Sequence, residues 1–124
     1  MTLHSLTFSF SPELAPVCEP ASRRRIRVLQ DAFPAVQDWS VACAVLAPDG
    51  HEDLMFEARV GALLESGNLV EAKVSRPDLL AALRIAFNTV EEQLHAESEQ
   101  ARFRAFEWLG KLKGRNGLRR GAGR

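Results

Sequence analysis

Residues 56–74 decide the fold, because they contain two alternating segments joined by a turn sequence: Phe56-Glu-Ala-Arg-Val-Gly-Ala62, Glu65-Ser-Gly-Asn68 and Val70-Glu-Ala-Lys-Val74. In both alternating segments an apolar residue recurs at every second position, and most of the residues between are charged. A period of two is typical of a strand with one buried face. The sequence therefore predicts two antiparallel strands with a tight turn at residues 65–68.

Two further strands are predicted before this pair. The first, over residues 5–10, places its apolar residues on one face and serine and threonine on the other. The second, over residues 39–46, has apolar residues on both faces and is therefore expected to be buried on both sides. Pro48-Asp49-Gly50 predicts the turn that leads into the third strand. The inward residues of these two strands are Leu6, Phe8 and Phe10, then Trp39, Val41, Cys43 and Val45.

Two amphipathic helices are predicted from apolar spacings of three and four. The first is expected to begin near Pro20, since the prolines at 12, 16 and 20 argue against a regular helix across residues 11–20. It should end before Pro34. Asp78 is a good cap for the start of the second helix, and Ser75 offers an alternative start. The expected buried residues are Ile26, Leu29 and Phe33, with Val28 beside them, and then Leu80, Leu83, Phe87, Val90 and Leu94.

The element order is therefore β-α-β-β-β-α. A helix between the first two strands makes them parallel, and two tight turns make the last three strands an antiparallel meander. Because the inward strand residues share one face of the sheet, both helices are expected to cover that face. The predicted fold class is α+β: a two-layer sandwich with a four-stranded mixed sheet and both helices on one side.

The charges are divided unevenly along a chain whose formal net charge is zero. Six of the 16 basic residues and none of the 16 acidic ones follow Gly110, so residues 1–110 carry a net charge of −6. We expect one domain over residues 1–110 and a basic flexible tail over residues 111–124. The hydrophobic fraction of 46% is ordinary for a soluble globular protein, and no signal peptide or membrane-spanning segment is evident.

The sequence lacks the patterns that carry catalysis. It has no glycine-rich phosphate loop, no paired histidine and cysteine spacing and no Gly-x-Ser-x-Gly motif. His51 beside Glu52 and Asp53 is interpreted as a solvated turn rather than a metal site. Cys18 and Cys43 are expected to be reduced thiols. We therefore expect no enzyme activity, no catalytic residue, no metal and no cofactor.

The junction from the fourth strand into the last helix reads Val70-Glu-Ala-Lys-Val74, then Asp78-Leu-Leu-Ala-Ala-Leu83. With the element order and the run from Arg25-Ile26 to Phe33, it resembles the ribosome hibernation-promoting factor family, also called ribosome-associated inhibitors, over roughly residues 3–100. Members of that family bind the small ribosomal subunit where tRNA and mRNA sit, and they idle ribosomes in starved or stationary cells. The resemblance implies a cytoplasmic translation inhibitor of the short form, without the C-terminal dimerisation domain.

The resemblance also implies which residues contact RNA. Basic side chains of such proteins lie against rRNA phosphates, and the matching positions here are Arg23, Arg24, Arg25, Arg27, Lys73 and Arg76. On the residues alone, the four arginines are equally compatible with a solvated helix face. The last helix departs from the family pattern, because its middle carries Glu91, Glu92, Glu97 and Glu99 where basic residues are usual. Carboxylates at those positions oppose binding to phosphate.

Two alternatives therefore stay open. The first is a divergent family member that no longer binds rRNA and acts as a protein-interaction module. It is suggested by Phe103, Phe106 and Trp108, which imply weak self-association unless a bend after Ser98 folds this segment back over residues 12–20. The second is an unrelated nucleic-acid binder that uses mainly its basic tail.

Overall fold

The computed structural model describes residues 5–46 and 54–122, the last of these (111–122) as backbone only. Six elements follow one another: β1 (Ser5–Phe10), α1 (Ala15–Ala32), β2 (Val36–Leu46), β3 (Met55–Leu64), β4 (Leu69–Arg76) and α2 (Leu79–Ala122). The strands form one sheet in the order β1-β2-β3-β4. β1 and β2 are parallel, and the other two pairs are antiparallel. The predicted element order and α+β fold class are confirmed.

The strand registers place one set of apolar residues on a common face. Val41 lies opposite Val60, and Val60 lies opposite Ala72 on the next strand. All three are at most 6% exposed. The predicted turn between β3 and β4 is also confirmed, since Gly67 has φ of +93° and its N–H donates to the carbonyl of Leu64 over 2.9 Å. That left-handed conformation favours glycine.

β2 is buried on one face only, so the prediction of burial on both sides is wrong. Trp39, Val41 and Cys43 are buried, whereas Ala44 and Leu46 on the opposite face are exposed. Apolar residues are common on protein surfaces, so those on this face do not require a covering layer. We call the face that carries them the open face of the sheet.

Helix α1 begins five residues earlier than predicted. It starts at Ala15, so the expectation that residues 11–20 form no regular helix is wrong for residues 15–20, and Pro20 lies inside the helix. Pro16 is in the first turn, where its missing N–H has no helical partner in any case. Pro20 removes one helical hydrogen bond, and burial of Cys18 before it and of Ile26 after it stabilises the helix on either side.

The end of α1 is fixed as predicted, before Pro34. The Phe33 N–H donates to the Leu29 carbonyl over 2.7 Å. Gln30 then joins the helix to the sheet, because its Oε1 accepts a hydrogen bond of 2.6 Å from the indole N–H of Trp39. Val28, expected beside the buried stripe, is 61% exposed.

In α2 the buried stripe starts one turn later than predicted. Leu80 is 51% exposed, whereas Leu83, Phe87, Val90 and Leu94 are each at most 3% exposed. The Asp78 carboxylate caps the helix by accepting the Ala81 N–H over 3.2 Å, as predicted. Residues 98–101 are helical and lie within α2, so the chain does not leave the helix at Ser98.

The chain divides into two compact units, Met1–Gln93 and Leu94–Arg124, and α2 contributes to both. The helix runs across residue 110, and the division into a 1–110 domain and a 111–124 tail stays a prediction. The turn at Pro48-Asp49-Gly50 and the group His51, Glu52 and Asp53 lie outside the described residues. Within the described ranges, no helix is both long enough and apolar enough to cross a bilayer.

Candidate nucleic-acid interface

The buried side of α1 determines where its arginines point. Cys18, Ser22, Ile26 and Leu29 are the buried residues of this helix, at spacings of four, four and three. Such a stripe turns the residues about half a turn away from it toward solvent.

Arg24 and Arg27 form the exposed pair. Both side chains lie on the solvent side of α1, three residues apart, where side chains of a helix are neighbours about 5–6 Å apart at Cβ. Within the described part of the chain neither guanidinium makes an ion pair or a hydrogen bond. Two adjacent charges with all their donors available are suited to bind phosphate oxygens.

Arg23 is exposed but already has partners. Its guanidinium makes an ion pair of 3.0 Å with Glu19, one turn earlier on α1. It also lies 5.1 Å from the ring centroid of Phe8 on β1, within the range of a cation–π contact. Arg23 therefore holds α1 against β1, and a phosphate would have to compete with both contacts.

The Arg25 side chain connects the two helices. Its guanidinium donates to Asn88 over 3.0 Å and makes a short ion pair with Glu91, both on α2. The Arg25 and Glu91 side chains are each 34% exposed. Glu91 is one of the carboxylates expected to oppose RNA binding, and Arg25 compensates its charge within the molecule. No sequence signal indicated this pair, because its members are 66 residues apart.

Lys73 and Arg76 do not join the arginines of α1 on one surface. Lys73 lies opposite Arg59 on the open face of the sheet, and its ammonium is 3.7 Å from Glu57. Arg76 lies opposite Phe56, on the other face at the end of β4, and donates to the carbonyl of Ser75. The structure therefore distributes the six predicted residues over several surfaces.

The two cysteines contact each other in the core and provide no reactive nucleophile. Cys18 on α1 and Cys43 on β2 are both free and buried. Burial away from water raises the pKa of each thiol, most strongly that of Cys43, where the neighbouring Cys18 adds to the effect. Within the described ranges, no group of three or more histidine, cysteine or acidic side chains is arranged to hold a metal ion.

Comparison with known proteins identifies a similar fold. No protein-family model matches the chain, and neither does any curated protein sequence. Among solved structures, a ribosomal subunit interface protein from Coxiella burnetii is similar to it, with a TM-score of 0.62. The alignment covers 78% of this chain and 99% of that one, at 11% sequence identity. This chain therefore has the fold of a ribosomal subunit interface protein, at a sequence distance where likeness shows the fold alone.

Proposed function

We propose that this chain binds the small ribosomal subunit as a hibernation factor, and that the outer face of α1 contacts rRNA phosphates. The observation that carries the proposal is the pair of Arg24 and Arg27, exposed and without partners in the described part of the chain. The fold shared with a ribosomal subunit interface protein supports it. On this proposal the protein acts in the cytoplasm by occupying a site on the ribosome and catalyses no reaction.

The sheet makes α1 a rigid support for this contact. Ile26 and Leu29 are at most 5% exposed, so the helix cannot rotate without uncovering them. Each guanidinium presents planar donors that match two phosphate oxygens, and binding releases counterions from the RNA. Arg23 and Arg25 flank this pair and contribute less, because their existing ion pairs must loosen first.

The ion pair between Arg25 and Glu91 also reduces the electrostatic objection to RNA binding. Glu91, one of the carboxylates in the middle of α2, makes an ion pair with Arg25 of α1. Its charge is compensated by Arg25 before any RNA arrives. Lys73 and Arg76 then serve as separate, weaker contacts on their own surfaces.

Cosedimentation with 30S subunits over a salt series tests the proposal. We expect Arg24→Ala/Arg27→Ala to weaken binding and to reduce the slope of log affinity against log salt by about 1.5, since two phosphate contacts are lost. Arg102→Ala/Arg104→Ala is the matched control, because it removes the same charge from exposed positions of α2. The free energy of unfolding should change by less than about 0.5 kcal/mol in both variants.

Two results would contradict the proposal. If the parent protein does not bind 30S subunits even at low salt, the ribosomal function is wrong. If the parent binds and Arg24→Ala/Arg27→Ala binds equally well at every salt concentration, the outer face of α1 is not the contact. Deletion of residues 111–124 tests whether the basic tail makes the RNA contact. Complete loss of binding in that variant would assign the contact to the tail.

A second candidate function is self-association through the aromatic segment, which we define as residues 103–109. Phe103, Phe106 and Trp108 are 64%, 76% and 62% exposed, and Leu109 is 51% exposed. Four large apolar side chains on one exposed segment are unusual for a protein that stays monomeric. Light scattering over a concentration series tests this function: Phe103→Ser should weaken association, and an unchanged mass would count against it.

A further inference from the structure

Strand β4 is a long and regular edge of the sheet. It is the last strand in the order β1-β2-β3-β4, so within the described residues one side of its backbone has no strand partner. Its pairing with β3 is unbroken over eight residue pairs, from Leu69 to Arg76, and the sheet's irregularity lies elsewhere, at Val36 of β2. Edges of this kind, without a bulge or an internal proline, are templates for another strand.

The charges beside this edge are unbalanced on the open face. Arg59 and Lys73 lie opposite each other, and a single carboxylate, Glu57, is 3.8 Å from one and 3.7 Å from the other. Two cations therefore share one anion. Glu71, two residues before Lys73 on the same face, is exposed and makes no ion pair within the described residues. The edge thus carries one surplus positive and one uncompensated negative charge, about 7 Å apart along the strand.

We propose that β4 pairs antiparallel with β4 of a second copy of this chain, about a twofold axis at Ala72. In that register Glu71 lies directly opposite Lys73 of the partner subunit, and Lys73 lies opposite Glu71 of the partner subunit. Val70 and Val74 become cross-strand neighbours on the other face. Each surplus charge gains its counter-ion, and the two sheets become one of eight strands.

Other symmetric registers pair the side chains of this edge less favourably. An axis at Glu71 or at Lys73 sets two like charges directly opposite each other, which is destabilising. A shift of one residue places a core-facing side chain opposite an open-face one, because side chains alternate between faces. The axis at Ala72 pairs residues 69–75, nearly the whole of the strand, and stops short of Pro77, which cannot donate to a ladder.

Charge-reversal variants give a direct test by sedimentation equilibrium. Lys73→Glu and Glu71→Lys each turn both cross-strand ion pairs into like-charge pairs, and each should raise the dimer dissociation constant by about tenfold or more. Mixed in equal amounts, the two variants have complementary edges and should recover dimerisation close to that of the parent. Both residues are exposed, and circular dichroism verifies that each variant is folded.

A control variant distinguishes dimerisation through β4 from association through the aromatic segment. Phe103→Ser leaves β4 unchanged, so dimerisation through the strand edge should persist in this variant even where association through the aromatic segment is weakened. The proposal is overturned if the parent is monomeric at millimolar concentration, if either single variant dimerises as well as the parent, or if the mixture stays monomeric. Loss of dimerisation in Phe103→Ser alone would transfer self-association to the aromatic segment. None of these outcomes depends on whether the protein binds ribosomes.

Discussion

In the first half of the stretch of α2 whose side chains are described, residues 79–94, buried residues recur every three or four positions, whereas no residue of the second half, residues 95–110, is buried. The backbone is helical throughout. Phe87 is 2% exposed and Phe106 is 76% exposed, although both are phenylalanines in the same helix. The difference shows that an apolar residue of a helix is buried only where another part of the protein packs against it. Helical conformation alone does not bury a side chain.

The halves also differ in how their charges are used. In the first half, Glu91 is joined to Arg25 of α1. In the second half, the grooves beside Phe103 and Phe106 are lined by charged neighbours on the same helix, Glu99, Arg102 and Glu107. The first half therefore acts as part of the folded core, and the second half presents a surface.

The largest effect is expected from truncating the two phenylalanines. Phe87→Ala removes a buried ring and should reduce the free energy of unfolding by about 3–5 kcal/mol. Phe106→Ala removes an exposed ring and should change it by less than about 0.5 kcal/mol. Urea denaturation of both variants measures the difference. Equal losses would show that the second half of α2 is as firmly packed as the first.

A second prediction examines the core through the pH dependence of stability. Burial raises the pKa of Cys18 and Cys43 in the folded state, whereas unfolded thiols ionise near pH 8.5. The stabilisation from the neutral thiols is therefore complete below that pH and is lost as the pH rises above it. Each thiol should lower the free energy of unfolding by up to about 1.4 kcal/mol per pH unit.

Urea denaturation between pH 7 and pH 10 measures this slope. Cys18→Ala/Cys43→Ala is the control, because it lacks both titrating groups and should show a shallower slope at whatever stability it starts from. A slope unaltered by the double substitution would mean that the thiols ionise equally in both states.

The smallest effect is expected from the contact between the helices. Arg25→Ala and Glu91→Ala should each cost about 1 kcal/mol, since the ion pair is half-buried and Arg25 also donates to Asn88. A double-mutant cycle should give a coupling energy of about 0.5–1 kcal/mol. Arg24→Ala, one position along the helix and exposed, should leave stability unchanged. Zero coupling would mean that the ion pair between Arg25 and Glu91 contributes nothing to stability.

The sequence by itself determined the element order, the inward faces of β3 and β4, the turn at Gly67 and most of the buried stripe of α2. These features follow from alternation, helical spacing and turn chemistry, which are properties of residues close together in the chain. The exposure of Arg24 and Arg27 also followed, because their angle to Ile26 and Leu29 is fixed by the helix.

Only the tertiary structure decided the start of α1, the open face of β2 and the roles of Arg23 and Arg25. α1 begins at Ala15 because burial of Leu14 and Cys18 in the fold outweighs the local cost of Pro20. Contacts between elements also distinguish the predicted RNA-binding residues from one another. Arg25 meets Glu91, 66 residues away, and Arg23 meets Phe8 on the preceding strand. Short-range periodicity within one element carries no information on contacts between elements.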